Sequence, residues 1–134
     1  MFRFLSESEL IQAGSEDRPP IISLEYARLR DFELQGKHLL ENTDLTQANL
    51  YGADLSEAHL EATDLSGAHL EDANLDGASL VGASLSGAYL RDADLGGDDP
   101  SGADLTNAEV TRDQMQRVTS LNGATLPEGS RYEM

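Results

Sequence analysis

The chain has no cysteine and no tryptophan. It therefore has no disulfide framework, no thiolate metal site and no thiol nucleophile. Aromatic residues make up only 5% of its 134 residues, so any core must be narrow and built from small aliphatic side chains. No apolar run approaches the roughly 20 residues that a membrane-spanning helix needs. Basic residues are scarce: nine Lys and Arg stand against 25 Asp and Glu, for a formal charge of −16. Between residues 40 and 110 there are fifteen acids and one base, Arg91. This argues against direct nucleic-acid binding, which needs a Lys/Arg footprint, and against an anionic membrane surface. It permits attraction to basic partners or mimicry of a nucleic-acid backbone. The plainest role is a solvated coat that keeps repetitive β structure from pairing edge to edge. The N-terminal stretch MFRFLSESELIQAG carries acids among its apolar residues and makes a poor signal peptide, so a cytoplasmic protein is the default expectation.

What is abundant is leucine at every fifth position. Leu45, Leu50, Leu55, Leu60, Leu65, Leu70, Leu75, Leu80, Leu85, Leu90 and Leu95 form an unbroken series that resumes at Leu105 and Val110. Two residues before each stands a small residue, alanine in most cases and threonine at Thr43 and Thr63. An α-helix advances about 100° per residue, so a five-residue period scatters leucines around its axis. A straight strand alternates faces, and five is odd, so each leucine would flip sides. The chain must turn once per pentad. Short strands then point Ala and Leu inward and the polar residue between them outward. Glycines such as Gly52, Gly67 and Gly77 fall in the gap after the leucine, where a corner needs them. A fixed short period of this kind specifies a solenoid.

The pentads ANLYG, ADLSE, TDLSG, ANLDG, ASLVG and ADLGG resemble the pentapeptide-repeat family over about residues 21–110. The resemblance implies an all-β solenoid, a right-handed quadrilateral β-helix with four pentads per coil, so that residues twenty apart stack. Short capping helices are expected at both ends.

The chain divides into residues 1–20, an N-terminal capping helix and loop; 21–110, the β-helix; and 111–134, a C-terminal capping helix and tail. Ser6 and Glu9 have capping-box spacing, Leu5 and Leu10 that of a hydrophobic staple, and Gly14 is a stop, which predicts a helix over about 7–13. Leu24, Leu29 and Leu34 keep the five-residue period one residue out of phase with the later series. The shift must be absorbed around residues 36–42, with a bulge at Lys37 or His38, and Phe32 would fill the open first coil. Thr111 and Gln114 repeat the capping box, and Val110 and Met115 the staple, which predicts a helix over about 112–119. The tail then returns an Ala-x-Leu element at residues 124–126.

Candidate functional residues follow from the twenty-residue coil. Asn49, His69, Tyr89 and Glu109 should share an outward column, with Tyr51, Glu71 and Arg91 beside it. His69, Tyr89, Arg91, Tyr51 and Glu71 form the candidate interaction face, because they supply stacking and hydrogen-bond donors; ordinary surface variation is the competing reading. In GGDDPSG, residues 96–102, Pro100 stands where a leucine belongs. A loop that projects or bulges is expected there, with Asp98, Asp99 and Pro100 as candidate contacts. Asp98 and Asp99 have the chemistry of cation ligands, but an exposed turn is the simpler expectation. Asp44 and Asp64 form a second column, and Asp54, Asn74 and Asp94 a third; hydrogen bonds from corner N–H groups explain them better than a metal. Thr43 and Thr63 should bond inside the coil. His59 and His69, ten residues apart, should lie on opposite faces.

No cofactor, metal or catalytic constellation is expected, since the acids sit on a convex surface without a cleft. The expected function is a non-enzymatic binding module or scaffold for an unidentified protein partner, without direct nucleic-acid or membrane binding. The alternative is an acidic DNA mimic that binds a type II topoisomerase, as the resemblance to quinolone-resistance members of the family implies. Those members resemble longer rods that dimerise end to end. A homodimer through an end cap is permitted here by Arg112 and Arg117, but not required.

Overall fold

The computed structural model describes residues 28–30, 33 and 40–127. Its regularity starts at the corners. Each leucine carbonyl accepts the N–H of the small residue three positions on, as in Ala48 N–H to Leu45 O at 3.0 Å and Ala68 N–H to Leu65 O at 3.0 Å. The second corner residue has positive φ throughout, from 53° at Gln47 to 74° at Gly97. A four-residue turn with positive φ only at its third position is a type II turn, which favours glycine or asparagine there. Gln47, Glu57, Ala62, Asp72 and Asp92 hold the same conformation without being either.

Between corners the chain is extended for three residues. The outer two point inward and the middle one outward, as strand alternation requires. The middle residues pair in parallel with those twenty positions on: Asp44 with Asp64, Asn49 with His69, Asp54 with Asn74 and His59 with Ser79. The same spacing carries all four columns upward, through Ser84 and Asp104, Tyr89 and Glu109, Asp94, and Asp99. The solenoid is thus four-sided. Backbone bonds of 2.7–3.2 Å, such as Leu50 N–H to His69 O and His69 N–H to Ala48 O, join each coil to its neighbours.

The core is the stack of inward leucines and small residues. Leu45, Leu50, Leu55, Leu60, Leu65, Leu70 and Leu75 are each 0% exposed. Each such burial contributes about 1.5–3 kcal/mol. Thr63 is fully buried and its hydroxyl donates to the Leu40 carbonyl, so it bonds to backbone inside the coil, as expected.

Both ends carry a register change. Arg28 pairs with Asn49 and Glu33 with Asp54, an offset of 21 rather than 20. Leu40 is already in phase and buried, so the extra residue lies between Glu33 and Leu40. Phe32, Lys37, His38 and the expected helix over 7–13 lie outside the described residues. At the other end Asp104 pairs with Thr125, again an offset of 21. Leu121 and Ala124 close one more corner, with Gly123 at φ 73°. The Ala-x-Leu element at 124–126 therefore rejoins the ladder.

The segment before it differs from expectation in length. The helix is a single turn, Arg112–Met115, rather than one running to 119. Its capping box is present: Gln114 N–H donates to Thr111 Oγ1 at 3.2 Å, and Thr111 N–H donates to Gln114 Oε1 at 2.8 Å. The helix goes no further: Arg117 N–H tightens back to Gln114 O at 3.1 Å, Thr119 N–H is given to the Asp98 carbonyl at 2.7 Å, and the Gln114 side chain ties the turn to the coil below. Its Nε2 is buried and donates to the carbonyls of Leu90 and Ala93, at 2.6 and 2.9 Å. Met115 is buried against the core, with Val118 packed beside it.

Candidate functional site

The outward columns follow one local rule. An Asp or Asn at the middle position turns back and accepts the N–H of the first corner residue, two positions on. Asp44 takes Thr46 N–H at 3.0 Å, Asp54 takes Ser56 at 3.1 Å, Asp64 takes Ser66 at 3.0 Å and Asp104 takes Thr106 at 2.9 Å. Asn49 and Asn74 do the same for Tyr51 and Asp76. These are Asx turns, and they explain why the motif prefers Asp or Asn there. The Thr106 hydroxyl and N–H hold the Asp104 carboxyl below the usual carboxylate range, and the small desolvation there does not reverse it. Much of the acidic surface is therefore corner chemistry.

The face predicted for recognition departs from this rule above Asn49, at His69, Tyr89 and Glu109. Arg28, Asn49, His69, Tyr89 and Glu109 form its column in parallel register. His69 and Tyr89 stack with centroids 4.6 Å apart and rings 7° from parallel. In the adjoining corner column, Glu71 Oε1 meets His69 Nδ1 at 3.3 Å, and Arg91 reaches Glu109 at 3.7 Å. Tyr51 lies under the guanidinium of Arg30, 4.5 Å from its ring centre. The structure thus brings together His69, Tyr89, Arg91, Tyr51 and Glu71. It adds Arg30, whose partnership the 21-residue offset of the first coil hid from a strict twenty-residue ladder.

The other candidate stretch is corrected. Residues 96–102 do not project. Gly97 makes an ordinary corner at φ 74°, Asp99 pairs with Ser79, and Asp99 accepts Ser101 N–H at 3.1 Å. Asp98 takes the inward alanine slot, 0% exposed, and Pro100 fills the leucine slot, buried. Asp98 and Asp99 point to opposite sides of the chain and do not jointly face solvent. Proline is tolerated because the ladder above it is interrupted: the closing segment, not a regular pentad, lies over this side, so no donor is required there.

Asp98 is electrostatically costly. Its Oδ1 accepts Ala78 N–H at 3.2 Å, while Oδ2 is buried without a hydrogen-bond partner. Burial pushes the carboxyl up to about 8, the nearby charges of Asp76 and Asp94 add to this, and the Ala78 bond opposes it.

A cluster that sequence reading did not assemble lies on the opposite face. The coil stacks Glu41 on Glu61, and His59 Nδ1 sits 3.9 and 3.3 Å from their carboxylates. The three could offer a cation one nitrogen and two oxygens, but they are a third or more exposed and already form ion pairs. Burial raises the Glu61 pKa; Ser79, its own backbone and His59 outweigh that and hold it low. The signal in the sequence was the twenty-residue spacing of 41 and 61. His59 and His69 do occupy opposite faces.

Comparison with known proteins adds the following. A family model described as pentapeptide repeats matches in eight copies over residues 23–61, 58–97 and 83–112. No curated protein sequence matches significantly. Among solved structures, the chain is similar to a pentapeptide repeat protein from the Arabidopsis thaliana thylakoid lumen, at 31% identity, TM-score 0.39, over 69% of this chain and 57% of that one. It is similar to Rfr23 from the cyanobacterium Cyanothece 51142, at 27% identity, TM-score 0.43, over 80% and 68%. It is also similar to full-length QnrB1, a plasmid-mediated fluoroquinolone resistance protein, at 25% identity, TM-score 0.56, over 78% and 55%. The chain thus spans between 55% and 68% of the length of these three relatives. With the ladder, the type II corners and the repeat match in agreement, the chain belongs to the pentapeptide-repeat family, and its solenoid is that family's right-handed quadrilateral β-helix.

Proposed function

We propose that this protein is a non-enzymatic binding module that engages a protein partner through the face of His69, Tyr89, Arg91, Tyr51 and Glu71. One observation supports this above others. At 69, 89 and 109 three successive coils give up the Asx bond at one column, and no other face does so over three coils among the described residues. Each lost cap costs a fraction of the roughly 1 kcal/mol that such a bond contributes. In exchange the column presents a stacked imidazole–phenol pair, with an exposed guanidinium, Arg91, in the corner column beside it. Aromatic and arginine side chains on a rigid surface are the usual anchors of protein recognition.

The test is affinity capture from lysate of the source cells with the native chain, a His69→Ala/Tyr89→Ala variant and a Ser79→Ala control on the opposite face. A partner held by the native chain and the control, at high salt, and released by the double variant supports the reading. Equal capture by all three overturns it.

The second reading is an acidic DNA mimic that binds a type II topoisomerase. The likeness to QnrB1 and the stacked Asp44–Asp64 and Asp54–Asn74–Asp94 columns favour it. Inhibition or protection of purified gyrase in a supercoiling assay, lost as salt rises, is its expected signature.

A further inference from the structure

Asp98 breaks the motif where the closing segment docks, and both facts bear on one rung. Its backbone carbonyl accepts two bonds from Thr119, from N–H and from Oγ1, each 2.7 Å. Its own N–H reaches Leu95 O at 3.4 Å, against 2.8–3.1 Å at the other corners. The next ladder bond, Asp99 N–H to Ala78 O, is 3.2 Å, against 2.8–3.0 Å in the same position elsewhere. Proline in place of leucine leaves this rung underfilled, and a small cavity of about 10 Å³ lies among Leu80, Leu95, Asp98, Pro100, Met115 and Val118. A fully buried carboxyl with one unsatisfied oxygen therefore lies beside a packing defect closed by Met115 and Val118.

We propose that Asp98 is a proton-operated latch on the closing segment: with the carboxyl neutral, residues 111–119 stay docked over the last coil, and loss of the proton lifts them away. The ionised group must reach water, because an unpaired buried charge is far costlier than the neutral acid. The ladder below is intact, so the exit is on the side of Met115, Val118 and Thr119. The charges facing Asp98 agree with this direction. Asp76 and Asp94 both disfavour its ionisation. Arg117, from the closing segment, is committed to Asp94 at 3.0 Å. The apolar residues around the cavity carry no titratable group. Lifting the segment uncovers the backbone edge of the last coil, a surface on which another strand can pair.

The sign follows from linkage. The docked state binds the proton more tightly than the open one, so the opening constant rises about tenfold per pH unit between the ordinary carboxylate range and about 8, and levels off above.

The experiment is amide exchange on the full chain, with protection factors followed from pH 5 to 7.5. In the native chain protection at Thr119 N–H should fall about tenfold per pH unit, while Leu65 N–H in the central coils keeps its protection. Asp98→Asn and Asp98→Ala should both abolish the slope at Thr119. The second restores the motif's own residue and so keeps the fold. A flat native profile, an unchanged slope in both variants, or parallel loss of protection at Leu65 would each overturn the latch.

Discussion

At the scale of single residues, two kinds of aspartate behave oppositely. Asp104 faces outward with its charge held by the N–H and hydroxyl of Thr106. Its contribution is present above the unfolded carboxylate pKa and is lost as pH falls through the lowered folded value. Asp98 faces inward and its folded pKa is raised. Its contribution is complete below the unfolded pKa and is lost as pH rises through about 8. Asp98→Ala is therefore expected to stabilise the protein by about 2–4 kcal/mol near pH 7. The gap in melting temperature should narrow on acidification. A variant that melts lower than the native chain at pH 7 would show that the carboxyl earns its place through contacts the geometry does not reveal.

At the scale of the pentad, the corner decides. Ala62 holds φ at 54° without glycine's freedom, a strain of about 1–2 kcal/mol for an L-residue. Ala62→Gly should relieve it, less the entropy a glycine adds to the unfolded chain, for a net gain of up to about 1 kcal/mol. Gly87→Ala, at φ 66° with open space around it, should lose about as much, because the strain is conformational and not steric crowding. Denaturant midpoints of the two variants measure both signs. The Asx bond is tested at Asp64: Asp64→Asn should be near neutral, as Asn49 and Asn74 already show the geometry. Asp64→Ala should cost about 0.5–1.5 kcal/mol.

At the scale of the whole molecule, stability is a stack and function is a surface. Leu75 is fully buried in the middle of a core one side chain wide, so Leu75→Asp should prevent folding, since no neighbour can pair the charge. A soluble, β-rich Leu75→Asp protein by circular dichroism would contradict the inward assignment. The surface can be interrogated without touching the stack. Replacing Asp44, Asp54, Asp64 and Asp104 together by asparagine keeps every Asx bond and removes four negative charges. Folding should be retained. A basic partner or topoisomerase would bind at least about tenfold more weakly at low salt, whereas a partner held by His69 and Tyr89 would not respond.

The sequence by itself determined the solenoid and the inward and outward positions of its regular pentads, because a five-residue period leaves one way to keep leucines on a common side. The stacking of 49 on 69 on 89 came from the family resemblance, which implies four pentads per coil. Given that coil length, the adjacency of His69, Tyr89 and Arg91 was legible too, since a coil of fixed length turns spacing into neighbours. Only the tertiary structure decided the rest. The GGDDPSG stretch reads locally as a loop, because Asp, Pro and Gly favour turns. Yet corners at Gly97 and Gly102 and the ladder on either side hold it in register, which forces Asp98 inward. The helix after Thr111 begins where its capping box says it should. It ends after one turn as Thr119 N–H bonds the Asp98 carbonyl rather than the helix, with Gln114 and Met115 docked on the last coil, a competition between local bonding and docking that no run of residues reveals. The Arg30–Tyr51 contact follows from the one-residue phase shift already present in the sequence, but which side chain that shift sets over Tyr51 appears only when the coils are stacked.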